Sequence, residues 1–362
     1  IDEQPSAHLR SIRNHTDMTK LGLRLFASLL AVLVFSGCGK AKPTLHLYCW
    51  ADYINPAIIK QFEKENNCRV VYDTFDSNEA LYAKLKAGAS GYDVIVPSHY
   101  IIDLMAKENM LLKLDLEKIP NRANFDEQIL RILPDPECTY AAPYMMSYTG
   151  IGYNKEKVAD FKASWNMFSR TDLKKRMTIL DDKREVIGAA LYVLGLDPNS
   201  TSDDALAAAK EIIVVWRDNA AKLENEQYKN GIASNEFYLV MGYSGDMMQV
   251  VEENAHVGFV IPEEGTLISC DMMAIPAQAK NIDLAHRFIN FLHEPAIAAA
   301  NTEHVFFLCP NKAAYPLLSE EIRTNPAVFL KPEILAKSKV TIDQGENEQK
   351  FNRLWEDIKA GK

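Results

Sequence analysis

LHLYCWADY, from Leu45 to Tyr53, is the stretch that determines the fold class. Its first five residues alternate between apolar and polar, which is typical of a strand, and Pro56 just downstream predicts the start of a helix. Because open α/β sheets bind ligands at the carboxyl ends of their strands, we expect a ligand near Trp50, Asp52 and Tyr53. Aromatic faces and a carboxylate suit an organic cation. The alternative is that both rings belong to the core and that Asp52 is solvated surface.

The composition is that of a globular protein with room for two domains: 362 residues, 48% hydrophobic and 25% charged. A net charge of −9 argues against a nucleic-acid partner and is compatible with a cationic ligand. The sequence contains no GxSxG, HExxH, P-loop or GxGxxG motif, and its histidines do not have metal-ligand spacing. We therefore predict a protein that is not an enzyme and has no metal or cofactor.

The first 44 residues differ from the rest. Met18 opens a segment with two basic residues, an apolar run over residues 25–35 (LFASLLAVLVF) and then Ser-Gly-Cys38. This is the pattern of a secretion signal, and the apolar run is shorter than the roughly 20 residues that span a bilayer. Its end resembles a bacterial lipobox, which predicts that Cys38 is lipidated and begins the mature, extracytoplasmic, membrane-anchored protein. A plain signal peptide is the alternative. Residues 1–17 are interpreted as an over-extended start.

Strand and helix patterns alternate through the rest of the chain. Predicted strands after the first are Arg69–Phe75, Tyr92–Pro97, Met177–Asp181, Leu239–Tyr243 and His256–Pro262. Predicted helices are Pro56–Glu65, a segment capped by Asp76 and Glu79 that ends at Gly88, Leu104–Leu112, a segment ending at Gly195, Asp203–Asp218, Asn281–His293 and Glu346–Ala360. Two segments, Tyr140–Asn154 and Asp271–Pro276, read as extended and could cross between domains. This pattern predicts an α/β protein, either two lobes around a hinge cleft or a single large domain.

Five carboxylates lie near predicted strand ends or starts: Asp52, Asp182, Glu185, Asp246 and Asp271. Asp182 and Glu185 are three residues apart at a helix start, so they either face one point or simply cap the helix. Asp271 begins a strand that reads as buried, where a carboxylate is costly unless it is paired.

Aromatic and sulfur-containing residues are less specific. Tyr100 is a candidate cleft aromatic, whereas core packing is the default for Tyr243 and Phe307. Beyond Cys38, the five cysteines form no CxxC pair and are expected to be mostly buried thiols, with a single disulfide left open: Cys49, Cys68, Cys138, Cys270 and Cys309.

From about Leu45 to Lys362 the chain resembles the spermidine/putrescine-binding proteins of bacterial polyamine ABC importers. The motifs that carry this resemblance are YCWADYINP (Tyr48 to Pro56), SNEALYAKLKAG (Ser77 to Gly88), YDVIVPSHY (Tyr92 to Tyr100), DDKREV (Asp181 to Val186), MGYSGD (Met241 to Asp246), DMMAIPAQAKN (Asp271 to Asn281) and IKAGK (Ile358 to Lys362). Together these motifs are specific for the family, whereas any one of them alone would be weak evidence.

The resemblance implies a two-lobed, type II periplasmic-binding-protein fold with two parallel-rich sheets joined by crossover hinge strands. Residues 45–147 and 270–315 would form lobe 1, and residues 148–269 and 316–362 lobe 2, after a leader and tether over residues 1–44. The ligand would lie between the lobes, with aromatic rings along its methylenes and carboxylates on its ammonium groups.

Carried over by motif, the resemblance assigns ligand-binding roles to Trp50, Tyr53, Tyr100 and Ser98, and to the carboxylates Asp52, Asp182, Glu185 and Asp271. Tyr243 stands where the family usually has Trp, and Phe307 where Tyr is expected. Asp246, after Gly245, matches the putrescine-preferring branch of the family, whereas Asp52 is closer to the spermidine-binding pattern.

The sequence thus predicts a monomeric receptor that captures putrescine, spermidine or both and delivers them to an ABC permease. A receptor for another organic cation or small amine solute is the nearest alternative. Two other classes are a secreted hydrolase that uses two of the carboxylates and a surface adhesin.

Overall fold

The computed structural model describes residues 42–361. The predicted signal peptide and Cys38 lie outside these residues. The described strands are β1 Thr44–Cys49, β2 Arg69–Thr74, β3 Val94–Ile95, β4 Ala141–Asn154, β5 Met177–Ile179, β6 Lys222–Leu223, β7 Leu239–Tyr243, β8 Val257–Val260, β9 Leu267–Ala274 and β10 Lys339–Val340.

The helices alternate with these strands. They are α1 Pro56–Glu65, α2 Asn78–Lys86, α3 His99–Lys107, α4 Glu127–Leu130, α5 Lys183–Val193, α6 Asp203–Asn219, α7 Gln227–Ala233, α8 Ser244–Glu253, α9 Ile282–Leu292, α10 Pro295–Val305, α11 Glu320–Thr324, α12 Pro332–Leu335 and α13 Glu348–Lys359. Within residues 42–361, none of the helices has the length and apolar character needed to cross a membrane.

β1 is the strand predicted from LHLYC, and it pairs in parallel with β2 on one side and β3 on the other. Leu45, Leu47 and Cys49 are fully buried along it. α1 follows directly, with the Asn55 side chain accepting a hydrogen bond from the first turn and Pro56 at the first helical position. The start of the fold is therefore confirmed, because strand alternation and a capped helix are both local signals.

Two long strands connect the rest of the structure. The first half of β4 pairs antiparallel with β9, and its second half pairs antiparallel with β7 and β8. β5 pairs in parallel with β6 and β7. The predicted crossing segments are confirmed as strands, and the complete sheet is mixed, with antiparallel pairing around β4 and β9 and parallel pairing toward its edges.

The buried apolar side chains form two clusters. One surrounds β1, β3 and α9 and also takes in Leu318 and Ile322. The other surrounds β5, β7, α5 and α6 and takes in Phe351 and Trp355 of α13. The sequence ranges given above for the two lobes remain a prediction.

Several local expectations were wrong. α3 covers His99–Lys107 rather than Leu104–Leu112, because Ile101, Ile102 and Met105 supply its buried face one turn earlier. Ser77, not Asp76, accepts the capping hydrogen bond of α2. Asp271 lies in the middle of β9, which begins four residues before it.

Candidate functional site

A cavity opens between the two buried clusters, at the carboxyl ends of β1, β3, β5 and β7. It contains about 670 Å³ free of protein atoms, part of it open to solvent. Its walls are Trp50, Ala51, Tyr53, Asp76, Asn78, Ser98, Tyr100, Ser147, Asp182, Arg184, Glu185, Asn225, Glu226, Tyr243, Asp246, Ser269, Asp271 and Phe307.

Asp271 is the carboxylate that β9 contributes to this cavity. Its side chain accepts hydrogen bonds from the hydroxyls of Tyr53, at 2.5 Å, and Ser98, at 2.6 Å. Burial raises the pKa of Asp271 to about 6, against the lowering effect of these two hydroxyls. The group is thus a buried carboxylate that is mostly ionised at neutral pH and has hydroxyl partners only.

His99 holds this part of β9 in place from behind. One ring nitrogen lies 2.6 Å from the Thr341 carbonyl oxygen, and the other lies 3.2 Å from the backbone nitrogen of Cys270. Burial lowers the pKa of His99 to about 4. The neutral ring therefore bridges β9 to residue 341 without adding positive charge beside Asp271.

Asp182 and Glu185 form a second acidic group at the first turn of α5. Asp182 accepts hydrogen bonds from the backbone N–H groups of Arg184, at 2.9 Å, and Glu185, at 3.2 Å. Its other oxygen accepts from the Tyr243 hydroxyl at 3.0 Å. Glu185 accepts from the Thr149 hydroxyl at 2.6 Å. Asp182 caps the helix, as one alternative predicted, and both residues also line the cavity, while their binding of a ligand stays a prediction.

The two carboxyl groups of this pair share a low-dielectric site. Burial, followed by the nearby charge of Asp182, raises the pKa of Glu185 to about 8. Burial also raises the pKa of Asp182. At neutral pH, one carboxyl of the pair therefore keeps a proton for most of the time until a cation approaches.

Aromatic rings line the cavity between these acidic groups. The ring centroids of Tyr53 and Phe307 are 4.9 Å apart in an edge-to-face arrangement. Trp50 packs on Phe75 at 4.4 Å. The Tyr100 hydroxyl accepts a hydrogen bond from the Asn78 amide at 2.8 Å. These contacts fix the ring orientations, so the faces that border the cavity are preorganised.

Ten of the eleven residues predicted to bind ligand line the cavity, and Asp52 does not. Asp52 has a positive φ of 50° in the turn after β1. Its side chain is 68% exposed and pairs with Lys229 at 3.2 Å. The strand-end position was read correctly, but the left-handed turn directs this carboxylate away from the cavity.

Asp246 lines the cavity with partners of its own. It accepts a hydrogen bond from the Tyr228 hydroxyl at 2.6 Å and lies 4.0 Å from the Lys229 ammonium. Burial raises the pKa of Asp246, while Lys229 and Tyr228 act in the opposite direction.

Sequence reasoning missed several wall residues. Asp76 is predicted only as a helix cap, and Asn78 belongs to the motif SNEALYAKLKAG but is given no role there, although its amide contacts both Ser98 and Tyr100. Ser147 and Ser269 face each other across the β4–β9 pair. Asn225 and Glu226 come from a loop before α7 that has no motif. Only the proximity of loops far apart in sequence could reveal these positions.

The four cysteines Cys49, Cys138, Cys270 and Cys309 are buried free thiols. Burial raises the pKa of Cys49, Cys138 and Cys309 to about 12. Cys68 is also buried. None of the five lines the cavity, so the thiols belong to the packing of the two cores.

Comparison with known proteins places this cavity in a family. The family described as bacterial extracellular solute-binding protein matches residues 57–330. The chain belongs to this family. The putrescine-binding periplasmic protein PotF of Escherichia coli is 35% identical over 356 residues, which cover 92% of this chain and 96% of PotF. The spermidine/putrescine-binding periplasmic protein of Salmonella typhimurium is 33% identical over 341 residues, covering 93% and 98% of the two chains.

Among solved structures, the TpPotD lipoprotein of Treponema pallidum is similar to this chain. It has a TM-score of 0.77 and 33% identity, and the match covers 87% of this chain and 99% of TpPotD. The resemblance read from the sequence and the α/β periplasmic-binding-protein fold are both confirmed. The Escherichia and Salmonella relatives are described as periplasmic binding proteins, and the Treponema protein is described as a lipoprotein.

Proposed function

We propose that this chain is the receptor of an ABC importer and that it captures putrescine, spermidine or both in the cavity between its two cores. The observation that carries the proposal is the set of buried carboxylates Asp182, Glu185 and Asp271. Among residues 42–361, no lysine, arginine or histidine nitrogen lies within 4.0 Å of their carboxylate oxygens. A buried carboxylate without a cation is costly, and a ligand ammonium group removes that cost.

The aromatic walls support a ligand with a hydrocarbon body. Each ring face adds about 0.5–2 kcal/mol when a cation lies over it, in addition to apolar contact with methylene groups. A polyamine combines ammonium groups with such a methylene chain. The relatives named for putrescine and spermidine binding support the same ligand class.

Capture needs no chemical step. Contacts join the elements around one core to those around the other, such as Lys183 to Glu79 at 2.6 Å and Gln249 to the Val305 carbonyl at 3.2 Å, and they support a closed arrangement of two lobes. A ligand that touches both cores stabilises this arrangement by its differential affinity for it. The closed receptor, a monomer, then presents its ligand to the permease.

We further propose that Cys38 is lipidated and that the lipid anchors the receptor to the membrane on the extracytoplasmic side. The lipobox pattern before Cys38 supports the anchor, as does the description of the similar Treponema protein as a lipoprotein.

Calorimetric titration tests the ligand class. The protein from residue 38 onward, with Cys38 replaced by Ser, is unfolded and refolded to remove bound ligand and then titrated separately with putrescine and spermidine. One-to-one binding of either with micromolar or tighter affinity is the expected result. Binding of neither by folded, ligand-free protein overturns the polyamine assignment and favours another organic cation or small amine solute.

A further inference from the structure

Part of the cavity wall is formed by β4 and β9, whose antiparallel pairing places Ser147 directly opposite Ser269. Directly paired residues on antiparallel strands face the same side of a sheet, and both serines line the cavity. The residues beside them, Met146 and Cys270, are buried and face the other side of the sheet. The two hydroxyls therefore form a serine pair on one surface of the cavity.

This serine pair lies between the two acidic groups of the cavity. Side chains two residues apart on a strand face the same side and are about 7 Å apart along it. Asp271 lies two residues after Ser269 on β9. Thr149 lies two residues after Ser147 on β4, and its hydroxyl donates to Glu185 at 2.6 Å. Since β4 and β9 run in opposite directions, a ligand that reaches from Asp271 to Glu185 passes over the serine pair.

The oxygens of the serine pair are free to accept hydrogen bonds. The Ser269 hydroxyl donates to the Thr341 hydroxyl at 3.4 Å, which leaves the lone pairs of the Ser269 oxygen available. Within residues 42–361, the Ser147 hydroxyl has no hydrogen-bond partner, although only 8% of the residue is exposed. A methylene group of the ligand at this point would separate both hydroxyls from water without replacing their hydrogen bonds, which is costly.

Resting on the function proposed above, we propose that Ser147 and Ser269 bind a secondary ammonium group inside the ligand chain. Such a group has two N–H donors, one for each serine oxygen. Directly opposite side chains have Cβ atoms about 5 Å apart, so a nitrogen above the pair reaches both oxygens. The carboxyl groups of Asp271 and Glu185, one on each side, favour a positive charge there.

The ligand class is therefore a polyamine with an internal nitrogen, such as spermidine, in preference to an alkyl diamine with the same number of chain atoms. Ser147 and Ser269 are specificity-determining residues, because they distinguish an internal nitrogen from a methylene group.

The test uses pairs of ligands that differ in one chain atom. Spermidine and 1,8-diaminooctane form one pair, and norspermidine and 1,7-diaminoheptane form the other; in each, a nitrogen replaces one methylene group. Calorimetry measures the four affinities in the wild type, Ser147→Ala, Ser269→Ala, the double variant and Ser244→Ala. Ser244 is a buried serine that does not line the cavity, so it provides the matched control.

In the wild type, the polyamine of each pair binds more tightly than the alkyl diamine. The ratio of the alkyl-diamine Kd to the polyamine Kd falls at least tenfold in the double variant, because only the polyamine loses two hydrogen-bond acceptors. Each single variant lowers the ratio by a smaller factor, and Ser244→Ala keeps the wild-type ratio.

An unchanged ratio in the double variant overturns the proposal, and so does parallel weakening of both ligands, which assigns the serines to packing alone. A wild-type protein that binds putrescine but not spermidine overturns it as well. The proposed function fails differently, since the folded wild-type protein then binds neither putrescine nor spermidine. The single variants keep the test decisive if the double variant does not fold.

Discussion

At the residue scale, the Asp271 carboxylate combines an unfavourable burial with the proposed binding of a cation. Asp271 is almost completely buried, and its hydroxyl partners do not neutralise it. Such a group destabilises the empty protein and strengthens the binding of a cation. The two effects can be measured separately.

Asp271→Asn is expected to weaken polyamine binding more than tenfold at pH 7.5, because an ammonium group then lacks its carboxylate in a dry site. Since the pKa of Asp271 is about 6 in the empty protein, wild-type affinity should also fall as the pH is lowered from 7 to 5. Calorimetry across this range checks both results. Asp283→Asn, at an exposed carboxylate paired with Lys118, is the control. Near-wild-type affinity of Asp271→Asn would remove Asp271 from the site.

Glu185 should make the folded protein less stable as the pH rises, whereas a carboxylate in a salt bridge makes it more stable. Its folded-state pKa of about 8 lies above its unfolded value, so between roughly pH 4.5 and 8 the folded protein holds a proton that the unfolded chain has lost. The free energy of unfolding therefore decreases as pH rises through this window.

Glu185→Gln should remove that decrease and stabilise the ligand-free protein at pH 8, by an amount on the order of a few kcal/mol, with little effect at pH 4.5. Denaturant unfolding at several pH values measures it. Glu253→Gln, at the exposed end of α8, serves as the control. A pH slope that is the same in Glu185→Gln and wild type would contradict the assignment.

At the element scale, the first turn of α5 combines a helix cap with the proposed cation site. Asp182 satisfies two backbone N–H groups of the helix, and the same side chain faces the cavity. One carboxylate can serve both purposes, because its oxygens can accept hydrogen bonds from the helix N-terminus and also interact with a cation.

The two functions of Asp182 can be separated by substitution. Asp182→Asn keeps a capping oxygen and loses the charge, so it should retain wild-type stability but weaken polyamine binding. Asp182→Ala loses both and should cost about 1 kcal/mol of stability as well. Denaturant unfolding and polyamine titration of both variants and the wild type measure the two effects separately. Wild-type affinity in Asp182→Asn would leave the residue with a capping role alone.

At the scale of the whole molecule, the proposed closure of two lobes would depend on a close approach between α8 and the C-terminal end of α10. A Cβ atom added at Gly245 would lie 2.5 Å from the Val305 carbonyl oxygen and 2.2 Å from a ring carbon of Phe307. The backbone oxygen cannot rotate away as a side chain can. Gly245 is therefore required where the two cores meet.

Gly245→Ala should hold the lobes apart, lowering putrescine affinity at least tenfold while each core stays folded. Small-angle scattering with saturating ligand should then show a larger radius of gyration than for the wild type. Ser244→Ala changes the adjacent residue without adding an atom and is the control. If Gly245→Ala keeps the wild-type radius of gyration and putrescine affinity, the backbone around residue 245 can shift to accommodate the added methyl group.

The proposed membrane anchor also concerns the whole molecule. In the native host, Cys38→Ser should give an unlipidated protein in the soluble extracytoplasmic fraction, because the residue that would carry the lipid is absent. Fractionation and mass spectrometry of the mature N-terminus measure this. Attachment of Cys38→Ser to the membrane would rule out the lipobox.

The sequence by itself determined the α/β class, the β1–α1 start, the crossing strands and ten of the eleven predicted residues that line the cavity. These follow from apolar periodicity, helix capping and motifs, all of which act over a few neighbouring residues. Only the tertiary structure decided that Asp52 turns toward Lys229, and that Asn78 and Glu226 join the walls. These outcomes depend on which distant segments come into contact, and on how burial and neighbouring charges then set the protonation of each carboxyl group.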